Sequence, residues 1–408
     1  FHRIMNGENV ILSAPTSFGK SLIIEALVAS NEFENIVIVV PTIALIDELK
    51  KKLFKYKESY KIITQVSQES SERNIYIFTQ ERVLEYSENI LVDFFIIDEF
   101  YKLAPTNKND ERCDRLNLAL KILHSKCKRF YMLGPNINGL VSGIEEELRS
   151  SFLKFDSYIT VATNEKYYPL VTAGKDADID IERDTILYSI IESINSNEQT
   201  VIYCKSPKRT SSLMRKLLDS GLLPPNHNNK GLSNWLSNNF HHDWSLVQGL
   251  QHGIAYHNAQ LPRAIAAKVV ELFNDSKINI LICTSTLIEG VNTNAKNIII
   301  YDDCITGKTK LDMFTFNNIS GRSGRMFEHF VGNVFILGNS PQDILPFIDI
   351  PVLTQSNNAS ESLLLQIGSG VKEESKDRVK KFYDQEILPI HLLMKHQGID
   401  PNKLINFA

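Results

Sequence analysis

The chain has 408 residues, 43% of them hydrophobic and 23% charged, an ordinary balance for a globular protein with well-formed cores. Its net charge of −4 is mild evidence against a uniformly basic nucleic-acid binder. No apolar run reaches the roughly 18 residues needed to cross a bilayer.

Short apolar, β-branched runs at 9–13, 36–40, 75–78, 94–97 and 129–133 read as strands. Helical patterns at 21–30, 43–56, 80–86 and 115–124 alternate with them. The runs are continuous rather than alternating, which implies burial on both faces in a parallel sheet flanked by helices. The pattern then restarts, with strands at 200–204, 253–256, 278–284, 296–301 and 332–337 and helices at 211–218, 263–273 and 311–319. The expected class is therefore α/β, two tandem units over 1–160 and 170–345. Tyr167-Tyr168-Pro169 falls in the expected hinge, where the proline restricts its neighbour. The stretch 226–231 reads as an exposed loop. Residues 346–408, with helical patterns at 360–366 and 377–393, read as the start of a small, mostly helical third domain.

The five cysteines lack C-x-x-C spacing, which argues against a zinc site and a disulfide framework. An intracellular, reducing compartment, the cytoplasm, is the expectation. No secretory signal precedes the first strand. Because residue 1 is Phe and not Met, the chain reads as a fragment or a processed or trimmed product. Basic groups at Lys50, Lys51, Lys52, Lys55 and Lys57, at Lys126, Lys128 and Arg129, and at Lys205, Lys208 and Arg209 read as solvated faces.

Residues 13–22 read SAPTSFGKSL, between a predicted strand and a predicted helix. That is the context of a phosphate-binding loop, in which backbone N–H groups and the helix N-terminus cradle phosphate oxygens. Gly19 lets the backbone approach closely, Lys20 would neutralise the β- and γ-phosphates, and the Ser21 hydroxyl would sit on Mg²⁺. The usual first glycine is Ala14. A second signal is the apolar run that ends in Asp98-Glu99. Asp98 would hold Mg²⁺ through water, and Glu99 would orient and deprotonate the attacking water. Taken alone, this pair could equally be a solvated acidic turn. In the second unit, Arg322 and Arg325 each follow a glycine. They read either as a basic turn at a helix end or as arginines brought to a γ-phosphate, which a planar guanidinium binds bidentately.

In this order the motifs resemble a superfamily 2 helicase core with two RecA-like domains. Motif I is residues 14–21, motif Ia Val40-Pro41-Thr42-Ile43-Ala44-Leu45, and motif II Asp98-Glu99-Phe100-Tyr101. Thr79-Gln80-Glu81-Arg82 resembles motif Ib and Val201-Ile202-Tyr203-Cys204 motif IV; motif V is residues 284–292 and motif VI residues 318–325. Residues 253–263 and 284–292 are similar to the Ski-like branch, whose members add a winged-helix domain that would begin after 346.

The resemblance implies ATP and Mg²⁺ bound between the two domains. Ala14, Pro15, Thr16, Ser17 and Phe18 would join Gly19, Lys20 and Ser21 from the first. Gly290, Asn292, Asn318, Arg322 and Arg325 would come from the second, on closure of the cleft. Pro41, Thr42, Thr79 and Arg82 would line one side of a nucleic-acid strand. Ser206, Lys208, His257, Thr284 and Ser285 would line the other, mainly through phosphates. His257 taken alone is more often a satisfied core or surface histidine than a functional one. The resemblance implies 3′→5′ movement. The Asp-Glu-Phe-Tyr box looks like that of bacterial anti-phage helicases such as the Hachiman type, which implies DNA, favoured over RNA, and an effector protein partner. An RNA-processing helicase is the alternative within the class, and a partner-binding ATP switch that does not translocate is the alternative outside it. Besides Ala14, three motifs depart from the family pattern. Motif II ends Phe100-Tyr101, Gly134-Pro135-Asn136 stands where Ser-Ala-Thr is usual, and Asn318 stands for glutamine.

Overall fold

The computed structural model describes every residue except 16–17, 108–109, 157–161, 172–175, 227, 291–294, 307–308, 324–330, 342–344 and 396–398. The chain divides into two units. One comprises Phe1–Ala14, Gly19–Asp156 and Pro346–Ala408; the other comprises Pro15–Phe18 and Ser157–Leu345.

The first unit carries strands β1 (Asn9–Ser13), β2 (Asn35–Val39), β3 (Lys61–Ile63), β4 (Asn74–Phe78), β5 (Phe94–Asp98), β6 (Phe130–Gly134), β7 (Gly139–Leu140) and β8 (Ser150–Lys154). Seven of them form one sheet in the order β3-β4-β2-β5-β6-β1-β8, with every pair parallel. Ile36, Ile75, Phe94, Phe95, Phe130 and Ile11 are fully buried, as continuous apolar strands between two helical layers must be. The register aligns the strand ends. Ser13 lies beside Gly134, Asp98 beside Leu133, and Val39 beside both Phe78 and Ile97.

The second unit carries β9 (Ala162–Tyr168), β10 (Thr200–Tyr203), β11 (Ile254–His257), β12 (Ile280–Cys283), β13 (Asn297–Ile300), the hairpin β14 (Cys304–Thr306) and β15 (Thr309–Lys310), and β16 (Val331–Leu337). Its sheet, in the order β11-β12-β10-β13-β16-β9, is also entirely parallel. The two tandem α/β units expected from the sequence are therefore present. The proposed hinge tyrosines, Tyr167 and Tyr168, are the last residues of β9. The stretch 226–231 is not all exposed loop. Asn229 is buried, its side-chain amide donates to the carbonyl of Lys277 at 2.8 Å, and the helix Lys230–Asn239 starts beside it.

Residues 346–408 fold onto the first unit. Strand β17 (Phe347–Ile348) pairs with β7. The long helix Glu111–Lys126 receives the rest. Asn117 Oδ1 accepts from the N–H of Val352 at 3.1 Å, Asp114 Oδ2 accepts from Ser360 Oγ at 2.6 Å, and Lys121 Nζ donates to the carbonyl of Ile367 at 2.9 Å. The helical pattern read at 377–393 is two helices, Glu373–Asp384 and Ile390–Lys395. Between them Gln385 Oε1 accepts from the N–H groups of Ile387 and Leu388, just before the restrictive Pro389. Among the described residues, no helix is long and apolar enough to cross a membrane.

Candidate nucleotide and nucleic-acid site

The phosphate-loop residues leave the carboxyl end of β1. The N–H of Ala14 donates to the carbonyl of Gly134 at 3.2 Å, and Phe18 N–H donates to Pro15 O at 3.1 Å. Gly19, immediately before the helix Lys20–Ala29, has φ 85°, in the left-handed region. An added Cβ there would meet Leu22 at an ordinary 3.4 Å, so conformation and not space calls for glycine. Lys20, 7% exposed, lays its ammonium across the loop and donates to the carbonyl of Ala14 at 2.7 Å. Ser21 is exposed in the first helical turn. Thr16 and Ser17 lie outside the described residues.

Asp98 ends β5, one strand from β1 across β6. Burial and the neighbouring Glu99 charge push its carboxyl up to about 7, against the pull of Lys20. Glu99 adopts φ 58° and ψ 46°, a left-handed conformation that costs a non-glycine residue on the order of 1 kcal/mol. Its N–H donates to Asp98 Oδ1 at 3.0 Å, and its carbonyl accepts from Lys102 N–H at 3.0 Å. Strain of this kind gathers where a side chain must be held in one place. Two adjacent carboxyls, one driven toward protonation, gain from added positive charge. This donor set, with the Ser21 hydroxyl, fits a Mg²⁺ ion.

In the second unit Asn318 sits on the helix Met313–Ser320, and Arg322 follows that helix with its N–H donating to the carbonyl of Ile319 at 3.0 Å. Gly290 closes the helix Ser285–Gly290. Asn292 and Arg325 lie outside the described residues.

The expected strand-contacting residues fall at sheet edges. Pro41 and Thr42 follow β2, and Thr79 follows β4, its neighbour in the sheet. Thr42 caps the helix Ile43–Leu53, its hydroxyl accepting from Leu45 N–H at 3.3 Å. Arg82 has a structural bond, Nη1 to the carbonyl of Thr64 at 2.5 Å. In the second unit Ser206 and Lys208 follow β10, His257 ends β11, and Thr284 and Ser285 follow β12; these three strands are adjacent and in register. Ser206 caps the helix Pro207–Asp219, Lys208 is exposed, and Thr284 Oγ1 lies 3.0 Å from Thr286 Oγ1. Burial pushes the His257 imidazole down to about 4, so it is neutral at pH 7, and its buried Nδ1 has no hydrogen-bond partner. The lysines at 50–57 are exposed, as their reading as a solvated face expects.

A charge network at the same edge was not read from the sequence. Asp302, 1% exposed, accepts from Arg209 Nε at 2.7 Å and from the N–H of Lys205 at 3.0 Å. Arg209 also bonds Asp180, and Arg183 bonds Asp303 at 2.7 Å. Asp302-Asp303 follows the apolar strand β13 much as Asp98-Glu99 ends β5. That parallel was the available signal.

A family model described as DEAD/DEAH box helicase matches residues 1–133, and one described as helicase conserved C-terminal domain matches residues 182–327. The chain is 38% identical to "Anti-bacteriophage protein B" of Escherichia coli (strain K12), over 97% of this chain and 54% of that protein. It is 28% identical to "ATP-dependent DNA helicase MER3" of Saccharomyces cerevisiae over 72% of this chain and 26% of that protein. It is 24% identical to "ATP-dependent DNA helicase Hel308" of Caldivirga maquilingensis over 85% of this chain and 49% of that protein. The chain thus spans about half the length, or less, of these curated relatives. Two helicase modules in this order, each on its own α/β unit with its motifs at the strand ends, show that the chain belongs to the superfamily 2 helicases.

Proposed function

We propose that this chain is the motor of an ATP-dependent nucleic-acid helicase or translocase acting on single-stranded DNA, moving 3′→5′, in defence against phage. The observation that carries the reading is the convergence of Lys20, Asp98 and Glu99 at one edge of the first sheet, where parallel α/β sheets bind their ligands. Lys20 and the loop N–H groups bind the triphosphate. Ser21 and Asp98 hold Mg²⁺, which when bound neutralises charge on the β- and γ-phosphates. Glu99 orients the attacking water and takes its proton. Arg322 and Arg325 stabilise the charge that develops on the γ-phosphate, and Gly290, Asn292 and Asn318 complete the nucleotide contacts. Ser206, Lys208, His257, Thr284 and Ser285, with Pro41, Thr42, Thr79 and Arg82, carry the phosphate backbone of the strand. The DNA substrate and the defence role are supported by the names of the relatives. The helicase and Ski-like resemblance supports the polarity and residues 346–408 as the beginning of a winged-helix or helical domain, and the likeness to anti-phage helicases supports an effector partner.

The test is steady-state ATP turnover without polymer, with single-stranded DNA, with 3′-tailed duplex and with single-stranded RNA. Lys20→Ala is the control and should abolish turnover in every case. Stimulation by DNA supports the proposal. Stimulation by RNA alone moves the protein to RNA processing. Turnover indifferent to every polymer overturns translocation in favour of a partner-gated switch, the alternative that the unusual motifs II and III allow.

A further inference from the structure

We propose that Gly134 is a positioning residue for ATP hydrolysis: its missing side chain makes the seat for Phe100, and Phe100 in that seat holds the Glu99 turn. The inference rests on the reading of Asp98 and Glu99 as the hydrolytic pair.

Gly134 is the last residue of β6, the strand that separates the two nucleotide elements. Its register partner on one side is Ser13, and the residue before it pairs with Asp98 on the other. Its backbone is not in the left-handed region, so conformation does not call for glycine here. Space does. A Cβ at this position would lie 3.0 Å from both Cδ1 and Cε1 of Phe100, well inside the optimal carbon–carbon separation of about 3.5–4.0 Å. Burial leaves the ring little room to yield. Phe100 is fully buried, begins the short 3₁₀ turn Phe100–Leu103, and shares it with the equally buried Leu103.

Both catalytic elements depend on that contact. Phe100 directly follows Glu99, whose left-handed backbone must be held by what surrounds it. On the other side, the carbonyl of Gly134 accepts from Ala14 N–H, and the carbonyl of Ala14 accepts from the Lys20 ammonium. Ser13 Oγ donates to the carbonyl of Pro135 at 3.3 Å and accepts from Ile137 N–H at 3.1 Å, which fixes the turn after Gly134 to the start of the loop. A backbone shift at residue 134 therefore reaches Glu99 through packing and Lys20 through hydrogen bonds. The large Phe100 in motif II and the small Gly134 in motif III, each a departure from the helicase pattern, fit one another and so make a single adaptation.

The experiment is a double-mutant cycle on the full chain, with Gly134→Ala, Phe100→Leu and the pair together, read by kcat and KM for ATP and by the affinity for a fluorescent ATP analogue. Gly134→Ala should lower kcat by about threefold to tenfold with nucleotide affinity kept, because the contact asks for a shift of a few tenths of an ångström and a full ångström of misplacement costs on the order of 100-fold. Phe100→Leu alone, which loosens the seat without a clash, should lower kcat less. The pair should exceed the product of the single effects by at least about threefold, since the new methyl fills what leucine vacates. If Gly134→Ala does not fold, a recovery of folding and turnover in the pair supports the proposal, and an unfolded or inactive pair overturns it. Multiplicative single effects, or wild-type kcat in Gly134→Ala, also overturn it. Lys20→Ala separates the two readings: if that variant keeps turnover, the hydrolytic reading itself falls, and if it loses turnover while the cycle is multiplicative, only the role of Gly134 falls.

Discussion

Replacing Asp302 with alanine should destabilise the second unit by about 3 kcal/mol, the low end of the range for removing one partner of a buried ion pair. The carboxylate is 1% exposed and accepts from Arg209 Nε and from the Lys205 N–H. Alanine leaves both half-buried donors without this acceptor. The cost stays at the low end because Arg209 keeps its second carboxylate, Asp180, at 2.6 Å. With a urea slope of about 2 kcal/mol per molar for a unit of this size, the midpoint should fall by about 1.5 M. The chain's two tryptophans, Trp235 and Trp244, both belong to the second unit, so tryptophan emission reports that unit alone. Asp302→Asn keeps an acceptor for the Lys205 N–H and should fall less. Because that N–H leads into the Ser206 cap, the alanine variant, which removes its acceptor, should also need more polymer for half-maximal stimulation of ATP turnover. A midpoint lowered by less than about 0.3 M in Asp302→Ala would refute the argument from burial and show that the network contributes nothing net.

Two pH effects follow from other buried groups. Burial raises the Asp114 carboxyl to about 6 despite its bond from Ser360. The unfolded carboxyl releases its proton near 4, so the native unit binds the extra proton in between and its stability falls as pH rises from about 4 to about 6. Asp114→Asn should therefore stabilise the first unit by about 2 kcal/mol above pH 7 and by little at pH 4, read from circular dichroism in urea; equal gaps at both pH values would contradict this. His257, pushed down to about 4, stays neutral throughout the physiological range. The affinity for single-stranded DNA should show no inflection near pH 6.5, and an inflection that disappears in His257→Gln would mean that the imidazole carries charge.

The buried strands were legible in the sequence because both of their faces are apolar. The residues read at 9–13, 75–78 and 94–97 lie within a residue or two of β1, β4 and β5. The edge strands β8 and β9 were not. β8 reads Ser-Ser-Phe-Leu-Lys, and β9 is exposed along nearly its whole length, so neither shows the continuous apolar run that marks a buried strand. The helix Asp176–Ser193 was also missed, because its acidic residues serve the charge network of the second unit and blur its apolar stripe. In the proposed nucleotide site, the order of the motifs along the chain was legible. The left-handed backbone of Glu99, the crossing of Lys20 to Ala14 and the fit of Phe100 to Gly134 were not, since each depends on strands distant in sequence. The place of residues 346–408 was hidden for the same reason. Asp114 and Asn117 look like surface residues of a helix until Ser360 and Val352 arrive to bond them.

That arrangement has a consequence for synthesis. The first unit is interrupted in the chain by the roughly 190 residues of the second. On a ribosome adding about 5–20 residues per second, the face of Glu111–Lys126 waits on the order of 10–40 s for the segment that covers it. Throughout that interval Asn117 lacks the backbone partner that Val352 supplies. Until that segment emerges, the uncovered helix face is open to chaperones and proteases.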